Sequence, residues 1–356
     1  MVIPARSFIF PENTYHMKAA FLEALKQPLV IHDYESPDPV GNEVLLEQEI
    51  TGICYRDVLT RDGFMPRVKL PIIPGHEISG RIIKAGPDVK DFRVGDRVAS
   101  LIYTPCGKCE FCLRGDENLC PNKITFGEAV NGGYTKDVIA HENSLVKVPD
   151  NVRPEDASLA ACVTGMVYNA LARVGQLQEG QRVLISGAGG GVGVHAVEIA
   201  KALGAYVIAE TSSQWKIEPL YRAGADLVVS GNNFDREIKE KTGDGVHLAL
   251  ESVGLPTFEK SLRSLRTGGR LVVIGNVDPS PVGLPLGLII LKGNSIHGSI
   301  SSTRNDMRKV LDMTSRGKLH AVVHEKIRLD DINSAYDEMK QKKSMGRIMI
   351  DLNADS

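Results

Sequence analysis

Short apolar runs separated by turn residues dominate the first part of the chain. Between residues 18 and 150, the runs at 43–47, 78–83 and 95–98 are bounded by glycine, proline, aspartate or asparagine. Runs of this length with turn residues between them are typical of β-strands. The pattern therefore predicts an all-β region.

The pattern changes near residue 180. A continuous apolar run at 183–185 predicts a strand buried on both faces, and it leads through a glycine loop into an amphipathic helix at 192–203. Further strand-like runs lie at 206–209, 227–229, 247–250 and 271–274, with helical segments between several of them. This alternation predicts a doubly wound parallel sheet, so the predicted fold class is α/β.

After residue 302 the pattern predicts a helix, a strand at 326–329, a second helix and a last strand at 347–352. We expect this tail to return to the first region. The predicted organisation is an N-terminal extension at 1–16, a catalytic domain at 17–163 and 302–356 with a cysteine-rich lobe at 104–121, and a cofactor-binding domain at 164–301.

Composition narrows the function by exclusion. The 356 residues are 42% apolar and 24% charged, with a formal net charge of −2, so no basic surface for nucleic acid or anionic membranes is indicated. The longest apolar stretch, at 281–291, is too short to span a bilayer. The first sixteen residues lack the basic start and cleavage site of a signal peptide. These features predict a soluble, cytoplasmic protein.

The glycine loop predicts a dinucleotide site. Three glycines have the spacing G-x-x-G-x-x-G between a predicted strand and a predicted helix. Such glycines let the backbone approach a pyrophosphate, which the free amides of the helix N-terminus bind. The alternative is a purely structural turn. The residues expected to bind the cofactor are Gly187, Gly190, Gly191, Val192 and Gly193.

The residues after the next strand bear on which nicotinamide cofactor binds. NAD usually requires an acidic residue here, and Glu210 is a candidate. A 2′-phosphate instead suits the hydroxyls and the ammonium that follow, on Thr211, Ser212, Ser213 and Lys216. Glu210 would repel that phosphate unless its side chain points away. We expect NADP(H), with NAD(H) as the alternative and a polar loop that caps the next helix as the purely structural one.

Four of the six cysteines lie in one short stretch, at Cys106, Cys109, Cys112 and Cys120. Cysteines this close in a reduced compartment usually bind metal rather than form disulfides. Four sulfurs around one tetrahedral ion are typical of a closed structural zinc site. Iron–sulfur ligation is the alternative.

A second candidate set consists of Cys54, His76 and Cys162, with Glu77 beside His76. Two thiolates and one imidazole leave the fourth position of zinc open, as in catalytic sites. Asp57 lies three residues after Cys54 and could orient the ring of His76, while Glu77 could act as a transient ligand. Isolated cysteines and histidines are otherwise ordinary packing residues.

These elements in this order resemble the medium-chain dehydrogenase/reductase superfamily over nearly the whole chain from Met17. The matching pieces are Gly52-Ile53-Cys54 with Asp57, Pro74-Gly75-His76-Glu77, Val94-Gly95-Asp96-Arg97-Val98, the four-cysteine lobe, Gly133-Tyr134, Ala161-Cys162 and the glycine loop. The resemblance implies a GroES-like β-barrel catalytic domain, a Rossmann domain and an active site in the cleft between them.

The resemblance also implies roles for particular residues. Cys54, His76 and Cys162 would hold catalytic zinc, and Arg347 would approach the cofactor pyrophosphate. Members of the superfamily are commonly homodimers or homotetramers. The apolar stretch at 286–291 would fit a buried interface strand.

One position departs from the zinc alcohol dehydrogenases of this superfamily. They carry Ser or Thr two residues after the first zinc cysteine, and its hydroxyl relays the alcohol proton. Here that position is Arg56, which accepts no hydrogen bond. The run Cys54-Tyr55-Arg56-Asp57 is instead similar to enoyl-thioester reductases. Acryloyl-coenzyme A reductases combine it with stretches like those at 162–166, 274–279 and 286–292.

The resemblance therefore implies NADPH-dependent reduction of a short 2-enoyl-CoA. Zinc or Arg56 would stabilise charge on the thioester oxygen, and Tyr55 or Tyr134 would protonate Cα. Arg67 and Lys69 would meet the CoA phosphates, or else be solvated surface charges. The alternative is a zinc-dependent alcohol dehydrogenase acting with NAD(P) by another proton route. A cofactor-binding protein without turnover is a third, disfavoured by the complete ligand set.

Overall fold

The structure is a computed structural model that describes residues 17–65, 67–277 and 280–354. The predicted extension at 1–16 lies outside the described residues, as do positions 278 and 279 of the stretch at 274–279. No helix in the described part of the chain combines the length and the apolar character needed to cross a membrane.

The first region is built mainly from short strands. They are β1 (Met17–Phe21), β2 (Val30–Tyr34), β3 (Glu43–Glu47), β4 (Ile50–Gly52), β5 (Ser79–Ala85), β6 (Arg97–Ser100), β7 (Tyr103–Thr104), β8 (Ile124–Thr125), β9 (Asp137–His141) and β10 (Leu145–Lys147). Five of them form an antiparallel sheet in the order β10-β6-β5-β3-β9.

Two short α-helices interrupt the described part of this region, so the prediction that it is all-β is wrong at these places. They are α1 (Tyr55–Arg61) and α2 (Glu110–Leu113). The amide of Cys54, just before α1, donates to Asp57 Oδ2 at 3.2 Å, which satisfies a backbone group at the helix start. Cys54 and Asp57 therefore lie at the N-terminus of α1.

The second region alternates strands and helices, as predicted. After α3 (Pro154–Ser158) and α4 (Met166–Tyr168) come β11 (Arg182–Ile185), α5 (Gly193–Ala202), β12 (Tyr206–Glu210), α6 (Ile217–Arg222), β13 (Leu227–Val229), α7 (Phe234–Thr242), β14 (Val246–Glu251), α8 (Phe258–Arg263), β15 (Leu265–Val273), α9 (Leu286–Lys292) and β16 (Ser295–Gly298).

Its six strands form one parallel sheet in the order β13-β12-β11-β14-β15-β16. The chain runs outward from β11 in one direction and then returns to β14 to run in the other. This order confirms the predicted doubly wound α/β fold. In such sheets ligands bind beyond the carboxyl ends of the strands, where the strand order reverses.

The apolar stretch at 286–291 lies in α9 and not in a strand, so the prediction of an interface strand there is wrong. Apolar runs of this length fit a strand or a helix equally well by periodicity. Leu286, Ile290 and Leu291 of this helix are 63%, 76% and 86% exposed. The helix therefore presents apolar side chains to solvent in the single chain.

The tail returns to the first region. It contains α10 (Arg304–Ser315), β17 (Val323–Ile327), α11 (Ile332–Lys340) and β18 (Arg347–Asp351). β17 lies slightly earlier than the predicted 326–329 because its register with β18 begins at Val323 opposite Arg347. β18 also pairs antiparallel with β4, with Met349 opposite Gly52. The domain boundaries at 163/164 and 301/302 stay a prediction.

Candidate active site and cofactor cleft

The four cysteines of the lobe lie together around one point. The sulfurs of Cys106, Cys109, Cys112 and Cys120 are all within 4.8 Å of one another, and none forms a disulfide. Cys109 Sγ lies 3.4 Å from Cys112 Sγ, which lies 4.0 Å from Cys106 Sγ. Hydrogen bonds from the backbone amides of Lys108 and Cys109 lower the pKa of Cys106 to about 6, so this sulfur is a thiolate at neutral pH.

This arrangement fits zinc. Four thiolates around a tetrahedral ion with bonds of about 2.3 Å would have sulfurs about 3.8 Å apart. The measured distances lie on either side of that value. Left-handed backbone at Gly107 and Gly115, with φ of 72° and 85°, permits the chain reversals that bring the cysteines together.

The second set is assembled from three segments. Cys54 precedes α1, His76 precedes β5, and Cys162 lies in the π-helical turn Ala160–Gly165. Cys162 Sγ lies 3.2 Å from His76 Nε2 and 3.8 Å from Cys54 Sγ. Donor atoms of these residues and of Glu77 lie within 4.8 Å of one another, and all four residues are buried.

Asp57 and Tyr134 lie behind the imidazole of His76. Asp57 Oδ1 is 3.0 Å from His76 Nδ1, and the hydroxyl of Tyr134 donates to Asp57 Oδ2 at 2.7 Å. Asp57 thus orients the ring with Nε2 toward the two thiols. The side chain of Tyr134 is fully buried and its hydroxyl is bonded to Asp57. Protonation of a substrate by Tyr134 stays a prediction, and this contact disfavours it.

Glu77 is held by Arg347 rather than left free. Arg347 Nε donates to Glu77 Oε2 at 3.0 Å and Nη2 donates to Oε1. Both residues are buried, and a Cβ at Gly52 would collide with the Glu77 carboxylate, so glycine is required on β4. Arg347 also borders the glycine loop at Gly191. This ion pair connects the thiol–imidazole set with the cofactor loop.

The groups of this set act strongly on one another's pKa values. The contact with Cys162 is the main cause of a lowered pKa of Cys54, and Arg347 and His76 contribute. Burial opposes protonation of His76, but the Asp57 carboxylate outweighs it and raises the pKa to about 10. Two thiols, one imidazole nitrogen and one carboxylate at this spacing form a donor set that suits zinc.

Arg56 lies beside this set and is paired with Glu128. Its Nε donates to Glu128 Oε1 at 2.9 Å, and its Nη2 donates to the same oxygen. Burial opposes the guanidinium charge, but Glu128 foremost, with Asp57 and Cys162, raises the pKa of Arg56. The sequence offered no signal for Glu128, which is 72 residues away.

The glycine loop joins β11 to α5, as predicted. Its amide at Gly187 donates to Glu210 Oε2 at 2.9 Å, and the Glu210 side chain is only 5% exposed. Ala at Gly193 would bring a Cβ against the backbone of Gly187 and Ala188. Val192 lies at the N-terminus of α5, and the amide of Gly190 donates to Gly187 O at 3.0 Å.

The residues after β12 divide into two groups. Thr211 is buried and Ser212 is exposed, while the amide of Ser213 donates to Thr211 Oγ1 at 3.2 Å. Lys216 is 5% exposed, and its ammonium donates to Gly189 O at 3.0 Å and Ser344 O at 2.6 Å. The structure therefore turns Lys216 inward, away from the position predicted for it.

Two family models match the chain. The alcohol dehydrogenase GroES-like domain matches residues 41–150, and the zinc-binding dehydrogenase domain matches residues 191–316. The acryloyl-coenzyme A reductase of Sulfurisphaera tokodaii is 42% identical, over 94% of this chain and 99% of its own. This chain belongs to the zinc-binding medium-chain dehydrogenase/reductase family.

Further relatives of this family agree in fold. An alcohol dehydrogenase of Geobacillus stearothermophilus is 37% identical, over 95% of this chain and all of its own. The crystal structure of AibC superposes with a TM-score of 0.88 at 35% identity, covering 97% of this chain and 99% of that one. The chain is therefore an oxidoreductase with a nicotinamide cofactor and zinc, and the two sets that contain cysteine offer donors that suit zinc.

Proposed function

We propose that this oxidoreductase reduces the carbon–carbon double bond of a short 2-enoyl-CoA, such as acryloyl-CoA, with NADPH. The observation that carries the proposal is Arg56 at the position where zinc alcohol dehydrogenases have a proton-relaying hydroxyl. The acryloyl-coenzyme A reductases of Sulfurisphaera tokodaii and Metallosphaera sedula, 42% and 40% identical, support the same substrate class.

The surroundings of Arg56 suit a developing enolate. When bound, the nicotinamide supplies a hydride to Cβ and zinc supplies a Lewis acid at the cleft. Arg56 adds a fixed positive charge beside Cys162 and Asp57, in a partly buried position where charge acts strongly. Because Glu128 is bound through Nε and Nη2, the Nη1 edge of Arg56 can face the thioester oxygen.

The reduction also needs a proton at Cα. With Tyr134 committed to Asp57, we assign this step to Tyr55, which directly follows Cys54 and is only partly buried. One hydride and one proton convert the enoyl-CoA to the saturated acyl-CoA, and NADPH becomes NADP+.

Basic residues lead outward from Arg56. Arg67 and Lys69 are exposed, and the amide of Lys69 donates to Glu128 O at 2.8 Å, which holds their loop against the partner of Arg56. Lys123 adds a cation nearby: its ammonium donates to Asn118 O at 2.6 Å, and burial foremost, with the charges of Arg56 and Arg67, lowers its pKa. We assign the CoA phosphates to these cations.

We assign NADP(H) as the cofactor and one zinc to each set of donors. The Glu210 carboxylate is bound to the Gly187 amide, so it does not oppose a 2′-phosphate at the open end of β12. We further propose a cytoplasmic homodimer or homotetramer, in which the exposed apolar side chains of α9 are covered by a second copy.

Zinc-dependent alcohol dehydrogenation with NAD(P) is the second candidate. The complete set at Cys54, His76 and Cys162 and the 37% identity to an alcohol dehydrogenase favour it. It needs a proton route that avoids Arg56, since a guanidinium cannot accept the alcohol proton.

The test is NADPH oxidation with acryloyl-CoA beside short aldehydes, with NADH as the cofactor control. We expect oxidation with acryloyl-CoA alone and a loss of about 10²-fold in kcat for Arg56→Met, the size expected for removing one charge-stabilising donor. Arg236→Met, on the exposed face of α7, is the matched control. A preference for aldehydes in the wild-type enzyme would establish the second candidate instead.

A further inference from the structure

The end of β12 has a buried carboxylate and an exposed hydroxyl. The Glu210 carboxylate points back to the Gly187 amide and is 5% exposed, whereas Ser212 beside it is exposed. In doubly wound folds the ribose 2′ position of the cofactor lies at this strand end. A 2′-phosphate here would meet hydroxyls and needs a cation.

Lys216 does not supply that cation. Its ammonium is bonded to Gly189 O, Ser344 O and, at 3.5 Å, Lys342 O. A lysine ammonium has three donors, so these carbonyls take all of them. Moving Lys216 to a phosphate would leave the carbonyls without their donor. Lys216 therefore clamps the segment between α11 and β18 onto the glycine loop.

The segment that Lys216 holds contains another lysine. Lys342 is exposed and has a φ of 58°, in the left-handed region that residues other than glycine rarely adopt. Its carbonyl lies 3.5 Å from the Lys216 ammonium, which also donates to Gly189 O. A Cβ at Gly189 would lie 3.2 Å from Thr211 Oγ1, so this part of the glycine loop borders the end of β12. The backbone of Lys342 therefore lies beside the end of β12, from where its exposed side chain can extend toward a bound phosphate.

We propose that Lys342 binds the 2′-phosphate of NADP(H) together with Ser212 and Ser213, and that Lys216 is the positioning residue that holds Lys342 there. The inference rests on the proposed use of NADP(H). It assigns cofactor choice to a residue of the tail, which packs on the first region, rather than to the loop after β12 alone.

The test measures binding without any acyl substrate. Dissociation constants for NADPH and NADH, and for adenosine 2′,5′-bisphosphate and AMP, are determined by titration calorimetry. For Lys342→Met we expect NADPH and the bisphosphate to bind about 10- to 100-fold more weakly, as for loss of a charged hydrogen bond. NADH and AMP should bind as to the wild-type protein. Lys343→Met, the adjacent exposed lysine, is the matched control and should change none of the four.

Two results would overturn the proposal. One is unchanged NADPH binding in Lys342→Met, and the other is equal weakening of NADH. Lys216→Met should weaken all four ligands through the loosened loop, so a loss confined to NADPH there would make Lys216 the phosphate ligand. Because no acyl group is present, failure of the enoyl-CoA proposal leaves these outcomes unaffected. Tighter binding of NADH than NADPH by the wild-type protein would refute NADP(H) use itself.

Discussion

The two cysteine clusters of this enzyme are assembled in different ways. Cys106, Cys109, Cys112 and Cys120 come from one short stretch, and three of them are partly exposed. Cys54, His76 and Cys162 come from three distant segments and are buried. A set from one stretch holds only that stretch together, whereas a set from three segments joins parts of the chain that are far apart in sequence.

Their surroundings differ as well. Backbone amides from its own turn face Cys106. Behind His76, by contrast, lie Asp57 and Tyr134, and an ion pair of Glu77 and Arg347 continues to the glycine loop. Such outer groups orient metal ligands and tune the metal. We therefore expect the neighbours of a ligand set, more than its cysteines, to distinguish a catalytic site from a structural one.

The largest effect is expected from His76→Ala. Removing the imidazole takes away one donor of the buried set, so we expect a loss of about 10³-fold or more in kcat, since a catalytic metal supplies several kcal/mol. Metal analysis should show that one zinc is lost and the other is kept. His32→Ala, at an exposed position on β2, is the control and should keep both.

An active His76→Ala enzyme would contradict the difference that we expect between the buried set and the lobe. Unchanged turnover would mean that the buried set holds a structural metal or none. Loss of both metals would mean that the two clusters are not independent.

The next effect concerns stability rather than turnover. In Cys109→Ser the lobe loses one of its four sulfurs, and we expect the free energy of unfolding to fall by about 3 kcal/mol or more, because metal binding and folding of such a loop are coupled. The lobe docks on the second region and the tail through Arg173 with Asp116, Arg304 with Glu117 and Asn118 with Ile300 O. Thermal unfolding of Cys109→Ser should therefore begin at a lower temperature than that of the wild-type protein.

Activity separates the two clusters again. At low temperature the kcat of folded Cys109→Ser should remain within about threefold of the wild-type value, because none of the lobe cysteines belongs to the buried set. A loss of kcat as large as that of His76→Ala, in protein shown to be folded, would contradict a structural role.

Local pattern was enough to predict much of the fold. The buried run at 183–185, the glycine spacing and the alternation after it correspond to β11, α5 and the parallel sheet. The helix α1 was missed because seven residues are too few to show a helical period. The stretch at 286–291 was assigned to the wrong element for the related reason that a short apolar run carries no period.

Residue type and the family resemblance were enough to group Cys54, His76 and Cys162, although these residues lie far apart in sequence. Asp57 was predicted to orient His76 because it lies three residues after Cys54. Glu128 and Lys342 came from the structure alone, since their partners Arg56 and Lys216 lie 72 and 126 residues away. Contacts of that span depend on strand pairing in the tail and on loop packing, which one sequence does not show.

The smallest expected effect concerns how the free energy of unfolding depends on pH through His195. The buried set reaches the glycine loop at Gly191, and on the far side of that loop His195 donates from Nδ1 to Gly191 O at 2.8 Å. Its Nε2 accepts from the amide of Val322 at 2.9 Å, so the ring is neutral and joins α5 to the tail. Burial foremost, and then the charge of Arg347, lowers the pKa of His195 to about 4.

The sign of the pH effect follows from this lowered pKa. Unfolded His195 titrates near 6.5, so its contribution to stability is complete above that pH and is lost as the pH falls toward 4. Between about pH 7.5 and 5 the loss should be about 2 kcal/mol, at 1.36 kcal/mol per pKa unit.

The variant His195→Asn should have a lower free energy of unfolding than the wild-type protein at high pH. On acidification, its free energy of unfolding should fall by about 2 kcal/mol less than that of the wild-type protein. Exposed His297→Asn should follow the wild-type curve, and so should Cys109→Ser, displaced to lower stability. If the free energy of unfolding of His195→Asn instead changes with pH in parallel with that of the wild-type protein, His195 does not contribute to the pH dependence. The contacts that extend from the buried set to the tail would then be no more sensitive to pH than the lobe.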